Sequence, residues 1–345
     1  MSERNREAHS VPASLPQQYV TSTVALTKLG FGAAPIGNLY TAVGDRDAIA
    51  AVHHAWAQGI RYFDTAPYYG YGLSEQRLGA ALSDVPRDSY TLSTKVGRTV
   101  SRDTGPTEGT DGFATSGRAM FDYSRDGIRR AVDASLQRLR VQYIDILLLH
   151  DIGELTHGAR HAEVMRQVFD ESLPTLAELK RDGVCGAVGL GVNEQAVCLE
   201  VLAETSLDCI MLAGRYTLLE QANSALLLEE ATRRAVSIIV AGPYNSGLLS
   251  AAEGPGLTYN YAPANPEVLD TALQLYHASW DANIDIGAAA LQFPLAHPAV
   301  VSVVAGMRSR DEVVSAIRRF NTEIPGTFWQ TLKEQGLLQP GAPTP

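Results

Sequence analysis

The sequence predicts an α/β fold, a single-domain (β/α)8 barrel of the TIM-barrel type. Three observations lead there. Eight short runs rich in Val, Ile, Leu and Tyr recur along the 345 residues, most of them followed by a helical pattern. Several of these runs lack clean polar alternation, as parallel strands buried on both faces do. Asp64, Tyr69, Lys95 and His150 each fall at or just past the end of such a run, and in this architecture the chemistry sits at the C-terminal ends of the strands.

The strand-like runs cover 27–32, 61–64, 90–95, 143–149, 186–191, 208–213, 236–241 and 300–304. The second, Arg61-Tyr62-Phe63-Asp64, delivers a carboxylate to its end, and the Gly/Pro-broken loop after it carries Tyr69. The third ends in Ser93-Thr94-Lys95, and the fourth, from Tyr143 to Leu149, runs into His150. Helical patterns fall at 45–58, 74–83, 124–140, 161–182, 194–205, 222–234, 266–297 (broken) and 309–320. In the third, Ile128, Val132, Ser135/Leu136 and Leu139 recur at helical spacing, with Arg129, Arg130, Asp133 and Arg138 expected to face water. Ser309 and Glu312 form an S-x-x-E capping box at the last helix. Repeated β-α units imply parallel strands, and eight of them close a barrel. The barrel is expected over 21–325, with a polar, weakly ordered tail at 1–20 and a C-terminal tail at 326–345, of which Pro340 to Pro345 reads as polar and weakly ordered.

Two connections are long for a compact domain. Residues 97–123 carry Gly97, Gly105, Gly109, Gly112 and Gly117, and residues 242–265 carry four glycines and three prolines. Loops of this length are functional or disordered. Both would project from the catalytic face, the first as a substrate lid and the second as a cofactor clasp.

Composition narrows the function. A 45% hydrophobic and 19% charged chain fits a globular protein with a large core. A net charge of -10 argues against a general nucleic-acid or anionic-membrane surface. No apolar run approaches the ~20 residues of a membrane span, and Met1-Ser2-Glu3-Arg4-Asn5-Arg6-Glu7 leads into no signal-type apolar segment. Cys185, Cys198 and Cys209 show no CxxC spacing and read as small core residues in a reducing compartment, so a cytoplasmic location is expected. His157 and His161 have i,i+4 spacing, but neither a catalytic Glu nor a third ligand is nearby; they read as solvated surface histidines, and no metal centre is expected. Gly30-Phe31-Gly32 with Gly37 lacks the G-x-G-x-x-G spacing and a following helix start, which argues against a Rossmann domain.

The four ionisable residues suit proton transfer on a carbonyl or hydroxyl oxygen. A buried Lys beside a Tyr favours phenolate, a carboxylate keeps that Lys charged, and a His can hydrogen-bond a substrate oxygen. Taken singly, an Asp before Thr65-Ala66-Pro67 is a turn former and a His after three leucines is a strand end. The conjunction outweighs those readings.

The eight β-α units, this tetrad and the phrases Asp64-Thr65-Ala66, Ser93-Thr94-Lys95 and Leu148-Leu149-His150 resemble the aldo-keto reductase superfamily over about residues 25–320. The resemblance implies a barrel that binds an extended NAD(P) without a Rossmann fold. Carried over by motif, Tyr69 is the proton donor and acceptor, Lys95 and Asp64 tune it, and His150 orients the substrate oxygen. The cofactor side departs from the commonest pattern. Of the Ser-Asn often found after the fifth strand only Asn193 remains; Ala213 and Ala241 replace a Gln and a stacking aromatic, and Arg215 and Tyr216 are the nearby candidates for those contacts. Gly242 and Ser246 follow in the seventh loop. The segments around Asn193, Arg215 and Ser246 are most similar to the aldose dehydrogenase branch, which includes D-threo-aldose (L-fucose) 1-dehydrogenases and is similar to pyridoxal 4-dehydrogenase.

In NADP-selective relatives a Lys follows the eighth strand and an Arg lies in the first turn of the last helix; the matching positions here are Gly306 and Glu312. A 2′-phosphate needs fixed positive charge. Glu312 would repel it and could accept from a ribose hydroxyl, while Arg308 and Arg310 could hold a phosphate at the same helix start. NAD is the expected cofactor and NADP the second option. The expected reaction oxidises a cyclic hemiacetal, an aldose such as L-fucose or D-arabinose or else pyridoxal, to its lactone. Two readings stand beside it: an NADPH-dependent reductase of aldehydes or ketones, and a cofactor-binding regulatory subunit resembling potassium-channel β subunits. Oligomeric state is left open.

Overall fold

Eight parallel strands close on themselves: Leu29–Gly32, Tyr62–Asp64, Thr91–Val96, Ile144–His150, Cys185–Val192, Cys209–Ala213, Ser237–Ala241 and Val300–Gly306. The last pairs with the first through Val303↔Leu29 and Gly306↔Gly32, which completes the ring. Residues 12–101, 112–251, 253–254, 256–260 and 262–345 are described by the computed structural model of the protein. All eight strands lie within two residues of the runs expected from sequence, because each is a buried β-branched or aromatic stretch bounded by helix-forming segments.

Register places the site. Gly32 stands opposite Asp64, Asp64 opposite Ser93, Lys95 opposite Leu148 and His150 opposite Gly191, so three of the four tetrad residues emerge at the same rim. Gly191 has a steric reason: a Cβ there would lie 3.2 Å from Cε of Lys95, whose stem crosses the interior at that point. Tyr62, Ile146, Leu148, Cys209, Met211 and Ile239 fill the interior, and a second, larger apolar layer lies between the strands and the helices.

The third helix, Arg125–Leu139, buries Ile128, Val132, Ser135 and Leu139 as its spacing predicts. Arg138 does not face water: its Nε donates to Glu75, 2.6 Å away, a carboxylate buried between two helices. The stretch read as one helix over 161–182 is interrupted by a π turn at Val168–Ser172, and the broken 266–297 resolves into helices Pro266–Asp281 and Ile286–Gln292.

The tails differ from expectation. Gln17–Tyr19 pairs with Ala25–Thr27 in a hairpin whose Val24 and Leu26 plug the bottom of the barrel; the rest of the N-terminal tail, 1–11, lies outside the described residues. Residues 326–345 are not a loose tail. Gly326–Glu334 is a helix that buries Phe328, Trp329 and Leu332, and Leu338 and Ala342 are buried beyond it. The reason is an i, i+1, i+4 apolar set on a short helix, which covers a stripe of core otherwise exposed. Among the described residues no helix is long and apolar enough to cross a membrane. The three cysteines are buried and unpaired, as core residues.

Candidate active site

Asp64 and Lys95 meet inside the rim. Lys95 Nζ donates to both carboxylate oxygens of Asp64, at 3.0 and 2.8 Å, and to the carbonyl of Thr65 at 2.9 Å. Ser93 Oγ donates to Asp64 Oδ1 at 2.7 Å and lies 2.9 Å from the hydroxyl of Tyr62. Both charged side chains are nearly sealed, 3% and 4% exposed. Two adjacent strands therefore converge on one saturated ion pair, and Ser93, named only as part of a motif, proves to be a structural member of it.

Tyr69 lies over this pair, with Lys95 Nζ 4.8 Å from its ring centroid. The His150 ring stands edge-on at 6.2 Å. Burial pushes the phenol well above its ordinary range, with the carboxylates of Asp64 and Asp151 adding to the rise and Arg98 opposing it. The sequence-based expectation that Lys95 lowers this pKa is not met, since Asp64 already compensates the ammonium charge. His150 is held well below the usual imidazole range by burial and by the cations Arg98 and Lys95. It is neutral at ordinary pH, and its Nδ1 is buried with no hydrogen-bond partner among the described residues.

Residues 112–117 of the long third loop fold across this face. Phe113 packs 5.4 Å from the ring of Tyr68 and 6.2 Å from that of Tyr69. Asn38 ties the same segment to the first loop by donating to Thr115 Oγ1 at 2.9 Å. The loop also contains a hairpin, Arg98–Ser101 with Arg118–Phe121; its residues 102–111, where the lid expectation partly falls, lie outside the described residues.

That hairpin brings in two residues absent from the expected site. Arg98 forms an ion pair with Asp151, the residue after His150, and Asp151 Oδ2 lies 3.4 Å from His150 Nε2. Their signal was adjacency alone: Arg98 is three residues past Lys95, and Asp151 one past His150. His157 is not a solvated surface histidine either. It is buried, with Nε2 3.0 Å from the Tyr123 hydroxyl and 2.9 Å from the Asp151 carbonyl. Among the described residues no group of three potential metal ligands occurs.

The cofactor candidates fall into two groups. Arg215 Nε donates to the Asn193 carbonyl at 2.7 Å and its Nη1 to Asn260 Oδ1 at 3.0 Å, so it ties the fifth and sixth loops to the seventh. Gly214 N donates to Ala241 O at 2.8 Å and Gly242 N to Val304 O at 3.2 Å, which joins this group to the eighth strand. Asn245 is buried in the same place, and its Oδ1 has no partner among the described residues. An orphaned acceptor there fits a donor of a bound nucleotide. Ser246, in the left-handed region at φ 58°, meets Tyr40 of the first loop across the rim. Tyr216 is not available to stack on a cofactor: its ring packs on Phe293 at 5.4 Å and His297 at 5.7 Å, within the helix layer.

The second group starts the helix Arg310–Asn321, which follows the eighth strand just past Gly306. Ser309 Oγ accepts from the Glu312 amide at 3.2 Å, as a cap should. Glu312 reaches back one residue further than a capping box requires, accepting from Arg308 N at 2.7 Å and lying 3.0 Å from Arg308 Nε. Glu312 and Arg308, which argued for opposite cofactors, are thus paired with each other.

A closed parallel barrel with an Asp, a Tyr, a Lys and a His converging on its C-terminal rim defines a class of barrel oxidoreductases. The chain belongs to the aldo/keto reductase family, whose profile matches residues 28–336. It is 38% identical to a pyridoxal 4-dehydrogenase from Microbacterium luteolum, over 91% of this chain and 95% of that protein. It is 36% identical to a D-threo-aldose 1-dehydrogenase from a Pseudomonas species, over 93% and 96%, and 33% identical to an L-galactose dehydrogenase from Arabidopsis thaliana, over 91% of each. Among solved structures, an aldo-keto reductase from Bacillus halodurans in its holo form superposes with a TM-score of 0.73 at 27% identity, covering 93% of this chain and 96% of that one. The protein is an NAD(P)-dependent oxidoreductase.

Proposed function

We propose that the protein oxidises a cyclic hemiacetal to its lactone with NAD, and that Tyr69 carries the proton. The observation behind this is the position of Tyr69, with Lys95 Nζ 4.8 Å from its ring centroid and the neutral His150 ring 6.2 Å away, at the strand ends where substrates enter such barrels. The bound nicotinamide would supply the hydride acceptor. Asn193, Arg215, Gly242, Asn245 and Ser246 would hold it, with Gly306, Arg308, Ser309 and Glu312 toward its adenosine end. His150, neutral and short of one partner, would fix the anomeric oxygen. Tyr69 would take the hydroxyl proton from that oxygen, with the Lys95 ammonium 4.8 Å from its ring centroid.

The substrate class follows from what two relatives share. Pyridoxal and aldoses both close to cyclic hemiacetals, so in each the proton would leave the anomeric hydroxyl and the hydride the carbon that bears it, and relatives named for each match most of this chain. The high pKa direction of Tyr69 favours a second reading, reduction of aldehydes, because a protonated phenol is the acid that direction needs. Nucleotide absorbance with L-fucose, D-arabinose, pyridoxal and simple aldehydes, run in both directions, tests both. Lactone formation with NAD⁺ is expected; turnover confined to aldehyde reduction would replace the first reading by the second, and cofactor binding without any turnover would favour the regulatory-subunit alternative.

A further inference from the structure

The Arg98–Asp151 pair is built unlike the ion pair beneath it. Both side chains are largely buried, 11% and 18% exposed. The guanidinium is sandwiched between the rings of Tyr68, 4.0 Å from Cζ to centroid, and Phe121, at 4.5 Å. Asp151 takes φ 48°, a left-handed conformation held by its amide donating to Gly191 O at 3.0 Å and by its carbonyl accepting from the Tyr123 hydroxyl at 2.9 Å. So much fixing places the carboxylate 3.4 Å from His150 Nε2. Yet the cluster is not saturated: Arg98 Nε and His150 Nδ1 are both buried with no hydrogen-bond partner among the described residues. A buried pair is stable when its remaining donors and acceptors are filled, and here the protein leaves them short of an oxygen.

We propose that Arg98 and Asp151 are specificity-determining residues that bind a hydroxyl on the carbon next to the reacting one, Arg98 donating to its oxygen and Asp151 accepting its proton. This rests on the hydroxylated-substrate reading above and sharpens it. The pair would select carbonyl compounds hydroxylated next to the reacting carbon over plain aldehydes, since a site with buried polar groups rejects an analogue that leaves them unpaired.

The test compares kcat/KM for a hydroxylated and a plain substrate, D-glyceraldehyde against propanal in reduction and L-fucose in oxidation. Arg98→Met keeps an apolar stem between the two rings, and Asp151→Asn is isosteric and tolerates the left-handed backbone. Each is expected to lower the glyceraldehyde-to-propanal ratio at least tenfold, mainly through KM for the hydroxylated substrate. Equal losses on both substrates, or an unchanged ratio, would overturn the proposal and leave the pair only a support for His150. If Arg98→Met does not fold, Asp151→Asn decides alone. Wild-type failure to oxidise L-fucose would count against the hemiacetal reading, while the ratio in the reductive direction still judges the pair.

Discussion

Two ion pairs stand at opposite ends of the proposed nucleotide path, and they differ in almost every physical respect. Lys95–Asp64 is 3% and 4% exposed, and its ammonium has three acceptors. Arg308–Glu312 is 35% and 39% exposed, an i,i+4 side-chain pair at a helix start. Removing one partner from a buried pair strands a charge in a low dielectric and costs about 3–5 kcal/mol, whereas an exposed pair contributes about 0–1 kcal/mol. The first arrangement therefore holds its geometry whatever binds above it. The second can open and let either partner turn to a ligand. Fixed chemistry at one end and adjustable cofactor choice at the other is what this difference supports.

The sharpest way to break the comparison is at the residue the rigid pair serves. Tyr69→Phe is expected to lower kcat by about 10²–10⁴-fold, the usual span of general acid–base catalysis, with cofactor affinity near wild type by fluorescence titration. A variant keeping more than about a tenth of wild-type kcat would remove Tyr69 from the proton-transfer role and the buried pair from its purpose.

Next comes the pair itself. Lys95→Met leaves Asp64 buried without its cation and is expected to destabilise the protein by about 3–5 kcal/mol, read by denaturant unfolding. Adding Asp64→Asn removes the stranded charge, so the double variant should regain much of that stability while remaining inactive. Recovery of activity along with stability would show that the lysine acts on the fold alone.

A smaller effect comes from His150. Its imidazole pKa is depressed by burial, so below about 6.5 the unfolded chain binds a proton that the folded chain does not. Stability should fall as pH drops through that value, by about 1.4 kcal/mol per unit from this group. Subtracting a His150→Gln profile isolates the contribution, and parallel profiles between pH 7 and 5 would contradict the depressed pKa.

The contrast also explains what was legible in the sequence. Asp64, Lys95 and His150 were readable because each ends a strand, and strand ends in a barrel share one rim. Arg98 and Asp151 were not, because their meeting depends on a hairpin inside a loop and on a left-handed residue, neither of which has a periodic signature. Trp329 and its helix were missed for a related reason: nine residues of mixed composition after a proline look like a tail until the core they cover is known. Tyr216 shows the opposite error, a polar-tipped aromatic placed by adjacency at the mouth and packed by the fold into the helix layer. The cofactor end was readable as a set of charges but not as a pairing, since i,i+4 contact between Arg308 and Glu312 removes the independence on which the argument from each residue relied.

That pairing gives the smallest and most informative prediction. While Glu312 holds Arg308, the guanidinium is partly neutralised and the helix start presents little net positive charge, which suits the two ribose hydroxyls of NAD better than a 2′-phosphate. Glu312→Gln removes the charge but keeps an oxygen for the Arg308 amide, so the cap is largely preserved. It should raise the ratio of kcat/KM for NADP⁺ over NAD⁺ by up to about tenfold, roughly 1.4 kcal/mol. The gain should shrink as salt is added, because the freed Arg308 is a half-exposed charge and its attraction for phosphate is screened. Arg308→Gln in the same background should return the ratio to its starting value. A ratio unmoved by Glu312→Gln would mean that the pair does not face the adenosine ribose.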